Sequence, residues 1–232
     1  MKIGIMQPYF FPYVGYWQLM NVVDKYVIYD DVNYIKGGWI NRNCILMDGK
    51  SHAINVKMNG ASPNKLINEV YVSNDELWKK KLLKTIEFSY KKAPFFNVVF
   101  PIIEEVVYYN NEILSLYLEN SIKKIAEYLE INTEFIMSSS INKNNSLKGQ
   151  DKVIEICNIL KATEYYNSIG GKDLYSKDDF NSKGIQLKFL QSSAISYKQF
   201  KSEFIPNLSI IDLMMFNSKE EIKKNLDSYF LL

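Results

Sequence analysis

The chain opens Lys2-Ile3-Gly4-Ile5-Met6-Gln7-Pro8-Tyr9-Phe10-Phe11-Pro12-Tyr13-Val14-Gly15, and soon afterwards runs Lys25-Tyr26-Val27-Ile28-Tyr29-Asp30-Asp31. Lys2 to Met6 reads as a short buried strand that stops at Gln7-Pro8, since proline cannot donate to a sheet ladder. From Tyr16 to Val23 the apolar residues recur at helical spacing, with Trp17, Met20 and either Val22 or Val23 on one face. Lys25 to Asp30 is a second apolar strand, ending at an acidic pair. Two apolar strands joined by a helix predict a parallel βαβ unit, because parallel neighbours need a crossover.

The same alternation continues downstream. Between Lys36 and Val72 the signals are strand-like, with a turn at Met47-Asp48-Gly49-Lys50. Asn74 or Asp75 caps a helix from Glu76 to about Tyr90, and a longer helix is expected from Asn110 or Asn111 to Leu129. Strands are expected at Ile131–Met137, Glu164–Ser168 and, last, Ile185–Leu190. Gln150–Leu160 reads as a helix, and Ser218–Phe230 as a closing amphipathic helix. No repeat or low-complexity linker divides the chain. The expectation is one α/β domain over residues 1–232, mainly parallel, with flanking helices and a hairpin insert after the second strand.

The 232 residues are 47% hydrophobic and 23% charged, ordinary for a folded globule. Lys and Arg number 28 against 26 Asp and Glu, a net charge of +2, which argues against a dedicated nucleic-acid or membrane-surface protein. Two cysteines, Cys44 and Cys157, cannot form a disulfide framework, so a reducing, cytoplasmic setting is expected. Neither a signal peptide nor an apolar run long enough to span a membrane is present in the sequence, so no membrane insertion is expected.

In open α/β sheets, ligands bind beyond the carboxyl ends of the strands. That rule selects the loops Gln7 to Gly15, Asp30 to Arg42, Ser138 to Ser140 and Ser168 to Lys172. In the first, Gln7, Tyr9 and Tyr13 offer hydrogen bonds, Gly15 permits close backbone approach, and the helix start favours an anion. The second is the densest set of functional groups in the chain. Lys36 and Arg42 suit a diphosphate, Tyr34 or Trp39 a base or sugar face, and Asn41 supplies an amide. Asp30 and Asp31 are the candidate general bases. Ser168, Gly170 and Gly171 could wrap backbone around a ligand oxygen, although Gly-Gly after a strand is more often a simple turn. Asp212 reads either as an inward carboxylate or as a helix N-terminal charge.

Other chemistries lack support. The single histidine, His52, lies in a strand, no serine sits in a nucleophile elbow, and Cys44 reads better as a small apolar residue than as a thiolate paired with His52. Metal-ligand spacing, a P-loop and G-x-G-x-x-G are all missing, so no metal site is expected. The cofactor is left open between ATP and an activated acyl donor.

Gln7-Pro8-Tyr9-Phe10-Phe11-Pro12-Tyr13-Val14-Gly15-Tyr16, Val27-Ile28-Tyr29-Asp30-Asp31-Val32 and Lys36-Gly37-Gly38-Trp39-Ile40-Asn41-Arg42-Asn43 together resemble the WbqC-like protein family. The likeness continues in Tyr90-Lys91-Lys92-Ala93-Pro94-Phe95-Phe96 and Leu208-Ser209-Ile210-Ile211-Asp212-Leu213, with Cys44 as a modest departure. The resemblance implies a bacterial protein of surface-polysaccharide (O-antigen, lipopolysaccharide) biosynthesis. Some members are described as glycine transferases that supply an aminoacyl group to an amino sugar. The expected partners are therefore a nucleotide-linked amino sugar and an acyl or aminoacyl donor, an aminoacyl-tRNA being one option. Tyr13-Val14-Gly15-Tyr16 also occupies the place where H-I-G-H-type nucleotidyltransferases carry their signature. Tyrosine brings no positive charge there, so nucleotide binding is expected to persist while adenylyl transfer lacks its charged contacts. An adenylate-forming enzyme and a non-catalytic scaffold for polysaccharide enzymes are the alternatives.

Overall fold

Successive side chains of a strand point to opposite faces, so a strand covered on both faces reads as a nearly unbroken apolar run. The computed structural model describes residues 1–200 and 203–232 and places the two opening runs as β1 (Lys2–Met6) and β2 (Lys25–Ile28). They are parallel, in register from Ile3 against Lys25 to Met6 against Ile28, and joined through α1 (Val14–Val22). Two small antiparallel ribbons follow: β3 (Arg42–Met47) with β4 (Lys50–Asn55), then β5 (Met58–Asn59) with β6 (Tyr71–Val72). Three helices come next, α2 (Glu76–Tyr90), α3 (Phe96–Val107) and α4 (Leu114–Tyr128). The chain then returns through β7 (Glu134–Met137), α5 (Gly149–Ile159), β8 (Glu164–Ser168), α6 (Lys177–Ser182) and β9 (Gln186–Ser192). It closes with α7 (Ile210–Phe216), α8 (Lys219–Leu226) and β10 (Tyr229–Leu231).

The central sheet has six strands in the order β10-β9-β8-β1-β2-β7, all parallel except β10. Its two faces carry separate cores. Tyr26, Ile28 and Tyr166 pack with α1, α4, α7 and α8 on one side. Ile3, Ile5, Val27 and Tyr165 pack with Val153, Ile156 and Cys157 of α5 and Phe180 of α6 on the other. Helices on both faces of a mainly parallel sheet make a doubly wound α/β fold. The chain leaves β1 toward the first face and β8 toward the second, so the crevice between these neighbours is the switch point of the sheet. Among the described residues, no helix is long and apolar enough to cross a membrane.

Several boundaries differ from expectation. α3 has no counterpart among the predicted elements; Pro101 lies inside it, its missing N–H tolerated within a helix buried along Val99, Ile103, Val106 and Val107. α4 begins at Leu114, later than the Asn110 or Asn111 start. The closing helix does not reach Phe230. Its capping box of Ser218 and Glu221 starts it as the pattern suggests, but the buried Gln18 of α1 donates Nε2 to the carbonyls of Asn225 (2.7 Å) and Ser228 (2.9 Å). The helix end is thereby satisfied from outside, and the chain turns into β10, antiparallel to β9. Ile185–Leu190 is therefore not the last strand.

Candidate functional site

Because β1, β2, β7, β8 and β9 run the same way, their exit loops all emerge at one edge of the sheet. The loop leaving β1 is held from every side. Phe10 and Phe11 are fully buried, and Phe11 sits at φ +42°, in the region that residues with a Cβ rarely adopt. Asn43 Nδ2 donates to the carbonyls of Phe10 (3.2 Å) and Phe11 (2.8 Å), while its Oδ1 accepts from the Cys44 N–H (2.8 Å). Ser209 Oγ also donates to the Phe11 carbonyl (2.8 Å), and Trp17 Nε1 donates to that of Pro12 (3.0 Å). The strained loop is thus fixed by β3, α1 and the start of α7.

What this rigid loop presents is aromatic. Tyr9 and Tyr13 project into a cleft of about 340 Å³ whose other lining residues are Pro12, Trp39, Asn43 and Asn207. The Tyr13 ring lies against the first turn of α1, and a Cβ on Gly15 would come within 2.5 Å of its hydroxyl. The close approach that Gly15 permits is therefore made by the protein's own tyrosine. Burial raises the phenols of Tyr9 and Tyr13, with Tyr13 adding to the rise at Tyr9, so both remain protonated hydrogen-bond donors at neutral pH.

Trp39 closes the cleft from the ribbon after β2. Arg42 donates Nε to the Gly38 carbonyl (2.9 Å) and also bonds that of Gly37, folding the turn on itself with Gly37 at φ +77°. Its guanidinium carbon sits 5.5 Å from the centre of the Trp39 ring, a cation–π arrangement that holds the half-exposed indole at the rim. Lys36 is exposed at the turn. Tyr34 and Asn41 face inward instead: Tyr34 donates its hydroxyl to Asn41 Oδ1 (2.9 Å), and Asn41 donates to the Val56 carbonyl (3.2 Å).

A second cleft, of about 570 Å³, adjoins the first and shares Tyr13 and Asn207 with it. It is lined by the segment leaving β9, including Ser192, Ser193, Ser196 and Tyr197, and by Ser209. One buried carboxylate anchors this wall. Asp212 accepts from Tyr197 (2.7 Å), Gln199 (2.7 Å) and Tyr90 (2.8 Å), while Gln199 also binds the backbone of Ile205 at both its N–H and its C=O. Burial raises the Asp212 pKa, and its three donors offset part of the rise. Asp212 is therefore both of the things its sequence allowed, an inward carboxylate in the first turn of α7.

The acidic pair faces another way. Asp30 is buried and accepts from the Ser139 N–H (2.9 Å) and Oγ (2.7 Å), tying the β2 exit to the β7 exit. Asp31 meets Lys143 at 2.7 Å and Lys152 at 3.1 Å, both ammonium groups withdrawn from solvent. Neither carboxylate lines either cleft. Gln7 contributes its carbonyl, which accepts from Tyr16 (2.8 Å). Ser168, Gly170 and Gly171 continue from β8 into a 3-10 turn (Ile169–Leu174), where Gly171 leaves room for the Asn167 side chain. Cys44 pairs with Ala53 and His52 with Ile45, which puts thiol and imidazole on opposite faces of the hairpin. Among the described residues no group of three His, Cys, Asp or Glu could hold a metal ion.

Tyr9, Tyr13 and Trp39 are thus the expected residues that one cleft unites. Asn43, Asn207 and the serines after β9 were not anticipated. The carboxyl-end rule applies to β9 as to the other strands, so its exit was available to the same reasoning, whereas Pro206-Asn207 carries no periodic signal.

The match to the WbqC-like protein family model runs over residues 7–224, from the β1 exit to α8. The chain belongs to the WbqC-like protein family. This WbqC-like chain is also 28% identical over 220 residues to an uncharacterized protein of Mycobacterium tuberculosis, the alignment spanning 92% of each. No solved structure matches it. Both clefts lie within the matched span.

Proposed function

We propose that this WbqC-like protein is a transferase that N-acylates a nucleotide-linked amino sugar, the acyl group being an aminoacyl unit such as glycyl. The observation that carries this reading is the pair of adjoining clefts sharing Tyr13 and Asn207. Two compartments with a common wall suit an acceptor and a donor whose reacting atoms must meet. In the aromatic cleft a planar base would stack against Trp39 or a tyrosine ring, while Arg42, stacked on Trp39, and Lys36 of the same turn would meet the diphosphate. The sugar amine, in its neutral form, would attack the donor's carbonyl. A C–N bond forms, the bond from the carbonyl carbon to its oxygen or sulfur leaving group breaks, and the amine proton leaves with that group or through solvent. Tyr13, protonated and placed between the clefts, can donate to an oxygen on either side. In this reading Asp30 and Asp31 tie the β2 exit to Ser139, Lys143 and Lys152 and do not touch the substrate.

The test is titration calorimetry with nucleotide-linked amino sugars against wild type and Trp39→Ala. Binding is expected, weakened roughly tenfold or more in the variant, since one base–aromatic stack is worth about 1–3 kcal/mol. No heat with any such ligand would remove the proposal and favour a scaffold. ATP–pyrophosphate exchange would instead favour adenylate formation, which acyl transfer from a preformed donor does not require.

A further inference from the structure

The outer face of α2 combines exposed apolar side chains with a cluster of lysines. Leu82, Leu83, Ile86 and Tyr90 turn inward and satisfy the helix's need for a core. On the opposite side Leu77 and Phe88 are 74% and 61% exposed, and between them lie Lys80, Lys81 and Lys84. These side chains and Met47 of β3 border one open groove of about 580 Å³. Lys79, Lys91 and Lys92 extend the basic character along and beyond the helix, against Glu76 and Glu87 alone. Glu76 is held by Lys80 at 3.2 Å with both groups largely in water, so it offsets little of the charge. A chain whose net charge is only +2 therefore concentrates six lysines and two glutamates in residues 76–92.

We propose that this face is a peripheral docking surface for a bilayer bearing anionic lipid headgroups. The chemistry of the face favours that occupant. Leu77 and Phe88, some 16 Å apart along the helix at about 1.5 Å per residue, are the kind of side chain that enters the headgroup–acyl boundary. The lysines between them have flexible stems that reach phosphate while their methylenes stay in apolar surroundings. A second copy of the chain would bring the same positive face and be repelled. A nucleic acid would favour guanidinium forks, whereas the chain's one arginine, Arg42, lies at the other end of β3 beside Trp39. Asn43, in the aromatic cleft, is four residues along β3 from Met47, about 13 Å by strand rise. A bilayer under α2 would therefore run within reach of that cleft. This inference stands whether or not the acyl-transfer reading holds.

Co-sedimentation of the full chain tests it, with vesicles of phosphatidylcholine alone and vesicles with an equal part of phosphatidylglycerol. Binding is expected only to the anionic vesicles and to weaken with salt. Lys80→Gln/Lys81→Gln/Lys84→Gln should lower the partition coefficient roughly 100-fold, since each lysine near such a surface is worth about fivefold. Leu77→Ser/Phe88→Ser should remove the binding that persists at high salt. All five positions are solvent-facing, and circular dichroism checks that the variants fold. No binding to anionic vesicles, or equal binding by wild type and the lysine variant, overturns the proposal. So does tighter binding to transfer RNA that the same lysine variant abolishes, which would make the face a nucleic-acid site.

Discussion

At Asp31, burial by itself would push the carboxyl up, but hydrogen bonds and charge from Lys143 and Lys152 outweigh it and the pKa is lowered. Its neighbour Asp30 goes the other way, because burial raises it more than the two Ser139 bonds lower it. A lowered folded pKa stabilises above the unfolded value, near 3.9 for Asp, and that stability is lost as pH falls through the folded pKa. A raised one contributes stability below the unfolded value that is lost as pH rises through the folded pKa. Asp31→Asn is therefore expected to cost about 3–5 kcal/mol at neutral pH, because two withdrawn lysines lose their counter-charge. Urea denaturation measures it, and a change under roughly 1 kcal/mol would show the ion cluster to be idle. Asp30→Asn should lose progressively more stability relative to wild type as the solution is acidified.

Among the elements, the β1 exit loop depends most on residues far away in sequence. Asn43 of β3 bonds two of its carbonyls, those of Phe10 and Phe11, and Ser209, the cap of α7, bonds the Phe11 carbonyl as well. Asn43→Ala would leave the Phe10 carbonyl without its side-chain donor and the Phe11 carbonyl with Ser209 alone, loosening the hold on Phe11 in its left-handed backbone. The expected cost is about 1–3 kcal/mol for the carbonyl left without its donor, together with weaker ligand binding as Tyr9 and Tyr13 lose their fixed placement. Denaturation and calorimetry on the same variant check both. A variant that loses neither would mean that Ser209 and the packing of Phe10 and Phe11 suffice. The loop's identity was legible in sequence from its prolines and aromatics. Its anchors were not, because nothing local to Asn43 or Ser209 indicates which carbonyl each will meet.

For the molecule as a whole, the expectation of one domain becomes a prediction. The sheet joins strands from both ends of the chain, β10 against β9 and β1 between β8 and β2. Asp212 links α2, through Tyr90, to the segment after β9, and Tyr90 also accepts from the Leu46 N–H of β3 (2.8 Å). Differential scanning calorimetry is expected to show one transition with equal calorimetric and van't Hoff enthalpies; two separated transitions would divide the chain into domains.

Apolar runs, breakers and spacing were enough to specify a parallel βαβ start, the hairpin after β2 and the edge at which the strand exits gather, because these follow from side-chain periodicity and backbone sterics. Which groups meet at that edge needed the folded chain. Asp30 and Asp31 look like chemistry in one dimension, yet in three they are consumed by Ser139, Lys143 and Lys152, which lie more than a hundred residues away. Tyr9, Tyr13, Trp39, Asn43 and Asn207 share a cleft only because strand order places the exits of β1, β2 and β9 together. Local pattern reports what a residue can do; its long-range partners determine which of those capacities is still free.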